Sequence, residues 1–249
     1  MKVSYSDLKK TFPDEKKSIE SLYGRIIPVR KISYIVTMPF LWLNMSAFSV
    51  SVISIFAAIA ACVFLSLPFE WSRITGIVLV FFWHLLDCVD GNIARYRKTA
   101  SHFGGVVDAI SGYYFFAFFP LAFGIASFNI GQNYFSIPPF LFLVLGGIAS
   151  ISDLLMRLIY QKYRCAELEF KLKDSPTIQN ENSNHGKLNS LVNKIQVECG
   201  PLGLPMFALW AAPVFNLFCV LTIYYCVFFT ASALCMTVLY LRKCRKADV

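Results

Sequence analysis

The chain has 249 residues, of which 57% are hydrophobic, a mean hydropathy of +0.57 and a formal net charge of +8. This composition excludes an ordinary soluble domain, in which about 45–50% of residues are apolar, and indicates an integral membrane protein. The positive charge does not indicate nucleic-acid binding, because the basic residues flank apolar segments, where they set membrane topology. The eight cysteines include no C-x-x-C pair, so they indicate neither a zinc site nor a disulfide framework.

The chain opens with a polar segment, residues 1–43, that becomes amphipathic towards its end. Val29, Ile32 and Val36 recur at helical spacing, and Arg30 lies among them. An apolar helix face with interleaved basic residues is typical of a helix that lies in the membrane interface. We therefore predict an N-terminal interfacial amphipathic helix within this segment.

Apolar segments of membrane-spanning length follow within residues 44–241. A spanning helix needs about 20 apolar residues. The last apolar block is long enough for two helices, and Pro213 and Asn216 offer a turn inside it. The predicted spans are residues 44–67, 71–87, 103–128, 135–160, 190–212 and 216–241.

The basic residues predict how these spans are oriented. If the N-terminus is cytoplasmic and six spans follow, Arg73 is the one Lys or Arg left on the opposite side, as the positive-inside rule requires. We therefore expect an all-α, polytopic membrane protein with six transmembrane helices and both termini in the cytoplasm. Residues 165–200 then form a polar cytoplasmic loop, and residues 242–249 form a basic cytoplasmic tail.

Four aspartates lie within or beside the predicted spans, and the topology places all four towards the cytoplasm. They are Asp87, Asp90, Asp108 and Asp153. Carboxylates at membrane depth are costly and mark functional sites. Acids that face one another repel unless cations lie between them, and ligation by oxygen alone favours Mg²⁺, Mn²⁺ or Ca²⁺ over zinc. The acids therefore indicate a cytoplasmic metal site, with pairing to nearby arginines as the alternative.

Small residues and an arginine continue the helix face that carries the first two acids. Gly91, Ala94 and Arg95 follow Asp87 at offsets of four, seven and eight, which keep to one side of a helix. Hard cations fill their open positions with phosphate oxygens, arginine suits bidentate phosphate contact, and glycine admits a ligand against the backbone. The pattern predicts a diphosphate site where a hydroxyl attacks phosphorus in line.

The pattern D-x2-D-G-x2-A-R-x8-G-x3-D, which runs from Asp87 to Asp108, resembles the signature of the CDP-alcohol phosphotransferase family. The resemblance implies a CDP-linked alcohol or CDP-diacylglycerol donor, release of CMP, and a hydroxyl acceptor that is a lipid, a polyol or a sugar phosphate. It also implies contact with membrane lipids, a role in phospholipid or related amphiphile synthesis, and a homodimer. The resemblance implies that Asp87, Asp90 and Asp108 are ligands of one or two Mg²⁺ or Mn²⁺ ions. It implies that Gly91, Ala94 and Arg95 line the CDP site. Gly104 would be the point where spans two and three approach each other.

The chain departs from the family pattern at one position. The pattern continues with three residues and a fourth aspartate, which the family uses for a second metal and as the general base, whereas this chain has Gly112 there. Asp153 could supply the base from the fourth span, or it could instead pair with Arg157 one turn further on. Otherwise the acceptor could supply its own base, with Gly112 making room for it.

The departure at Gly112 also leaves a non-catalytic function open. The alternative to an enzyme is a catalytically impaired membrane scaffold or nucleotide sensor on the same fold. A divalent-cation carrier is disfavoured, because ion passage requires neither the glycines nor Arg95. His84, three residues before Asp87, fits either a donor to a ligating carboxylate or a hydrogen-bonded core histidine.

Overall fold

The computed structural model describes residues 4–12, 21–131, 134–174 and 194–247, and these residues form helices joined by turns and short loops, without strands. The predicted all-α class is therefore confirmed. Residues 194–199 form a short helical segment. The other helices are α1 (Tyr5–Lys10), α2 (Leu22–Ile26), α3 (Val29–Trp42), α4 (Ala47–Ser66), α5 (Glu70–Arg97), α6 (His102–Ile130), α7 (Pro139–Asp174), α8 (Pro205–Phe215) and α9 (Phe218–Ala247).

Five helices in the described part of the chain, α4, α5, α6, α7 and α9, are long and apolar enough to cross a membrane. Their outer faces expose large apolar side chains, such as Phe56, Leu158 and Leu234. Such exposure is unfavourable in water, but it is the expected surface where lipid hydrocarbon surrounds the helices. The chain is therefore a polytopic integral membrane protein.

The continuous span predicted for residues 190–212 is wrong in extent. Residues 190–193 lie outside the described residues, and the helical segment 194–199 is separated from α8 by a turn that contains Pro201 and Gly203. Proline and glycine interrupt a helix because the first lacks an N–H group and the second favours turns. Helix α8 has 11 residues, so it measures about 17 Å, which is short of the hydrocarbon thickness of about 30 Å.

The described residues thus have five helices of spanning length and the shorter α8 where the sequence predicts six spans, and the two ends of the stretch from 198 to 215 contact different parts of the molecule. The backbone N–H of Leu22, in the N-terminal segment, donates to the Glu198 carboxylate at 2.9 Å. Tyr134 follows the C-terminal end of α6, and its hydroxyl donates to the carbonyl oxygen of Phe215 at 2.5 Å. Helix α8 then ends at Asn216, which has a left-handed backbone with φ 49°, in agreement with the predicted turn.

Helix α7 corrects the predicted start of the polar loop. The prediction began the loop at residue 165, whereas α7 continues through Asp174, so the connection is shorter. The last turns of α7 are rich in Lys, Glu, Leu and Gln, which are good helix formers and extend the helix beyond its apolar part. Helix α9 likewise continues through Ala247 and includes most of the predicted basic tail.

Helices pack closely where glycine removes the side chain. A Cβ atom added to Gly124 of α6 would lie 2.5 Å from the carbonyl oxygen of Phe142 in α7, and Gly146 faces it at the same crossing. Helices α5 and α6 are held together by larger groups. The rings of Trp83 and Phe115 stack with centroids 3.7 Å apart. The two large rings fill the space between α5 and α6 at mid-bundle, so the helix backbones do not approach closely there. We call the end of the bundle where α5 stops and α6 starts the acid end.

The N-terminal helices pack against the acid end. The Asn92 amide of α5 donates to Ser33 Oγ at 3.0 Å and to Thr37 Oγ1 at 3.2 Å, and both acceptors belong to α3. Helix α2 contacts α8 through Tyr23, whose hydroxyl accepts from Trp210 Nε1 at 3.2 Å. Burial raises the pKa of Tyr23, and the Trp210 hydrogen bond opposes this shift. The position of α3 in the membrane interface stays a prediction.

Candidate active site

The turn between α5 and α6 gathers the three aspartates of the motif at the acid end. Helix α5 ends at Arg97 and is followed by Lys98 in a left-handed conformation with φ 55°. Ser101 caps α6, where its Oγ accepts from the backbone N–H of Gly104 at 3.1 Å. Asp87 and Asp90 come from the last turns of α5 and Asp108 from the second turn of α6. All three line one cavity of about 760 Å³, which we call the acid cavity.

The three carboxylates differ in their surroundings. Asp87 is half-buried, Asp90 is buried and Asp108 is exposed. The Asp87 and Asp108 side chains are in hydrogen-bonding contact, whereas Asp90 accepts from Ser51 Oγ of α4 at 2.5 Å. Two ionised carboxylates cannot remain in contact unless they share a proton or a cation neutralises them. The Asp87–Asp108 contact therefore requires a positive partner when both groups are ionised.

The acid pair fits the way in which Mg²⁺ binds to proteins. Within the described ranges, no three Asp, Glu, His or Cys side chains are grouped closely enough to hold one ion. Mg²⁺ does not need such a cage, because it commonly binds one or two carboxylates together with water and substrate phosphates. Asp87 and Asp108 suit this role directly. The assignment of all three acids, including Asp90, as metal ligands stays a prediction.

The predicted phosphate-binding strip lines the same cavity as the acids. Gly91, Ala94 and Arg95 are all part of its wall. A Cβ atom on Gly91 would lie 3.1 Å from Arg95 Nη1, so glycine leaves room for the guanidinium. Arg95 Nη2 donates to Asn92 Oδ1 at 2.9 Å, and Arg95 Nε is buried with no partner among the described residues. An unsatisfied N–H at a cavity wall suits a bound anion.

Gly104 also lines the acid cavity, but it does not bring two spans together as expected. A Cβ atom there would meet only Ser101 Oγ within 4 Å, at 3.3 Å. Gly104 lies in the capped first turn of α6, so it lines the cavity and does not lie at a helix crossing. The absence of a side chain keeps the cavity open.

The model of the CDP-alcohol phosphatidyltransferase family matches residues 26–173. The chain belongs to this family. The match covers more than half of the chain and includes the complete acid cavity motif on α5 and α6. No curated protein shows significant similarity to the chain. Membership supports transfer of a phospho-alcohol group from a CDP-alcohol to a hydroxyl acceptor, and the apolar helices place this family member in a membrane.

The protein has a second cavity of about 470 Å³ beside the acid cavity. Two residues, Arg30 and Cys88, line both cavities. The wall of the second cavity also includes His84, Asp153 and Arg157. Because the two linings share residues, a ligand in one cavity lies next to a ligand in the other. The pair of cavities provides two adjoining compartments, as a reaction between two substrates requires.

Asp153 does not join the three acids of the motif. Its carboxylate is fully buried and accepts from Arg157 Nε at 2.7 Å and from Arg157 Nη2 at 3.3 Å. The structure therefore shows the pairing that was the alternative to a free base, and it places Asp153 in the second cavity. An arginine one turn away on the same helix satisfies the carboxylate locally.

Gly112 leaves enough room for a small side chain. A Cβ atom there would meet nothing closer than a ring carbon of Phe116, at 3.9 Å. His84 Nδ1 is buried with no partner in the described part of the chain, so this atom does not donate to a ligating carboxylate. His84 lines the second cavity and not the acid cavity.

The sequence did not indicate that Phe12 and Arg30 line the acid cavity. Arg30 was interpreted as an anchor to the membrane surface, because it interrupts an apolar helix face. In the structure its guanidinium lies 3.8 Å from the centre of the Phe12 ring, and both residues line the acid cavity. No local pattern reveals this role, since both residues lie far from Asp87 in sequence.

Proposed function

We propose that the chain is a Mg²⁺- or Mn²⁺-dependent transferase that moves a phospho-alcohol group from a CDP-linked alcohol or CDP-diacylglycerol to a hydroxyl acceptor and releases CMP. The observation that carries this proposal is the acid cavity. Asp87, Asp108 and Arg95 line a single space of about 760 Å³, which is within the usual range of about 300–1,000 Å³ for ligand sites. Carboxylates that can bind a cation and an arginine that can bind phosphate therefore line the same cavity.

Asp87 and Asp108 would hold the divalent ion, and Asp90 would add a ligand or fix the site through Ser51. When bound, such an ion neutralises charge on a diphosphate and favours departure of the nucleoside monophosphate. The protein supplies the remaining interactions. Arg95, held by Asn92 and given room by Gly91, binds phosphate oxygens. Ala94 and Gly104 keep the wall clear for the nucleotide.

The second cavity supports a place for the acceptor. An acceptor hydroxyl entering from this side forms a bond to the phosphorus that carries the donor alcohol. The bond from that phosphorus to the bridging oxygen breaks, CMP leaves with the electron pair, and the hydroxyl proton passes to a base. Asp153 is the base that the sequence suggested, but its pairing with Arg157 at 2.7 Å favours a role in orienting the acceptor. The acceptor is a lipid, a polyol or a sugar phosphate.

Release of CMP tests this function. The full-length protein, purified in detergent, would be incubated with radiolabelled CDP-linked alcohols and CDP-diacylglycerol, together with a mixture of hydroxyl acceptors. We expect CMP to form with Mg²⁺ or Mn²⁺, to stop after chelation, and to resume when the metal is restored. Formation of CMP at the same rate in the presence of chelator would contradict the metal assignment.

A nucleotide sensor or scaffold is the second candidate function, and Gly112 is the observation that favours it. A protein without the fourth acid would bind CDP and metal but would not turn over. Binding of CDP without release of CMP from any donor would therefore support the sensor.

The charge distribution supports a cytoplasmic location for both termini and for the site, and a homodimer is proposed from the family resemblance. Reporters fused to each terminus and the mass of the purified protein test these two points.

A further inference from the structure

Arg30 lies at the junction between the two cavities. It belongs to the first turn of α3, and with Cys88 it is common to the linings of both cavities. If donor and acceptor occupy the two compartments, the group that is transferred passes this junction. Arg30 is thus placed beside the reacting phosphate rather than at the nucleoside end of the donor. This step rests on the proposed function.

A single aromatic ring holds Arg30 together with Arg95. The side chain of Phe12, two residues after the end of α1, is 6% exposed. Its ring centre lies 3.8 Å from the Arg30 guanidinium carbon and 5.3 Å from that of Arg95. Cations within about 6 Å of an aromatic centre are attracted by the ring, and arginine makes this contact most often. Phe12 therefore fixes both guanidiniums at the wall of the acid cavity.

Helix α1 is built to keep Phe12 in this place. Ser4 and Asp7 form a reciprocal capping box at its start, which satisfies backbone N–H groups and stabilises a short helix. Leu8 is fully buried. The Tyr5 ring packs edge-on against Tyr34 of α3, with centroids 5.6 Å apart. The short helix is thus attached to α3, the helix that carries Arg30.

Two guanidiniums beside one ring repel each other, and an anion between them would offset this repulsion. Arginine matches the geometry of phosphate oxygens through its planar set of donors. Arg95 has its buried Nε without a partner in the described chain, so part of that donor set is available. Charge, geometry and the unsatisfied donor all indicate a phosphate group at this wall.

We propose that Arg30 binds the phosphate that is transferred, the one bonded to the donor alcohol, and that Phe12 is a positioning residue for Arg30 and Arg95. Arg95, beside the acids and away from the second cavity, then binds the phosphate that remains with CMP. The N-terminal segment thus completes the donor site. CDP, which has both phosphates, and CMP, which has one, are the probes that separate the two arginines.

The test compares CDP with CMP on the full-length protein in detergent with Mg²⁺, by titration calorimetry. Arg30→Gln is expected to weaken CDP about tenfold or more, as for loss of a charge-assisted hydrogen bond, and to leave CMP affinity unchanged. Lys31→Gln is the matched control, because it removes the same charge from the adjacent, exposed position, and it should change neither affinity. Equal effects of Arg30→Gln on CDP and CMP, or no effect on either, would overturn the assignment.

Phe12 is tested with two variants. Phe12→Leu keeps an apolar side chain but loses the ring face, and it should weaken CDP about threefold to tenfold, whereas Phe12→Tyr should retain the affinity. Unchanged CDP binding by Phe12→Leu would overturn the positioning role. Absence of nucleotide binding by the unmodified protein would instead contradict the proposed function itself. Elution volume and melting temperature identify a variant that fails to fold. If Arg30→Gln fails to fold, Arg30→Lys replaces it. This variant keeps the charge but loses the planar donors, so it should show the same selective loss of CDP affinity.

Discussion

The two cavities lie side by side, and each is lined by aspartate from long apolar helices. They differ in how those acids are balanced. In the second cavity, Asp153 is already paired with Arg157. In the acid cavity, Asp87 contacts Asp108, another acid, and the nearby Arg95 donates to Asn92. A carboxylate paired with an arginine is neutralised locally, whereas two carboxylates in contact repel each other unless they share a proton or a cation neutralises them.

The largest expected effect is on the acid pair. Asp87→Asn or Asp108→Asn should lower metal-dependent CMP release by about a hundredfold or more, because the ion that neutralises the diphosphate loses a ligand. Asp153→Asn, in the second cavity, should retain nucleotide binding. Glu70→Gln, at the opposite end of α5, is the control for a change of charge. Wild-type CDP affinity in Asp108→Asn would remove the distinction between the cavities.

The next effect is on stability and concerns the second cavity. Arg157→Gln leaves the fully buried Asp153 carboxylate without its charged partner, and breaking a buried pair in this way costs about 3 kcal/mol. Arg164→Gln removes a more exposed pair with Glu167 and should cost less than about 1 kcal/mol. Thermal unfolding in detergent measures both. Equal melting temperatures would show that the Asp153 pair is not structural.

A smaller effect is expected at Gly91. The added methyl group of Gly91→Ala would approach the Arg95 guanidinium to 3.1 Å, and the end of this flexible side chain would shift. CDP affinity should fall about threefold to tenfold, since a charge-assisted hydrogen bond of about 1.5–3 kcal/mol is weakened but not removed. The melting temperature should not fall, because alanine is the better helix former and the group it meets is flexible. A stability loss with normal CDP affinity would assign Gly91 to helix packing instead.

The smallest effect concerns Gly112. Because a Cβ atom there meets nothing closer than 3.9 Å, Gly112→Ala should stabilise α6 by about 0.5–1 kcal/mol through helix propensity. Gly124→Ala, in the same helix, should destabilise the protein, because its Cβ atom would lie 2.5 Å from the carbonyl oxygen of Phe142. If Gly112→Ala also destabilised the protein, the absence of a steric clash at this position would be contradicted.

The acid cavity was largely predictable because its determinants are close in sequence. Asp87, Gly91 and Arg95 share one helix face, and a short turn brings Asp108 to the same end. Helical periodicity then fixes which side chains can meet, whatever the rest of the chain does. The second cavity offered no such pattern, and the role suggested for Asp153 depended on a choice between partners that only packing resolves.

The sequence by itself determined the all-α membrane class, most of the spans and the composition of the acid cavity, because hydropathy and helical spacing are local properties. Tertiary structure alone decided that Asp153 pairs with Arg157 in a separate cavity and that α8 is a helix of 11 residues where a full span was predicted. It also decided that Phe12 brings Arg30 to Arg95. These outcomes depend on which distant side chains share a space, and spacing along the chain does not specify such contacts.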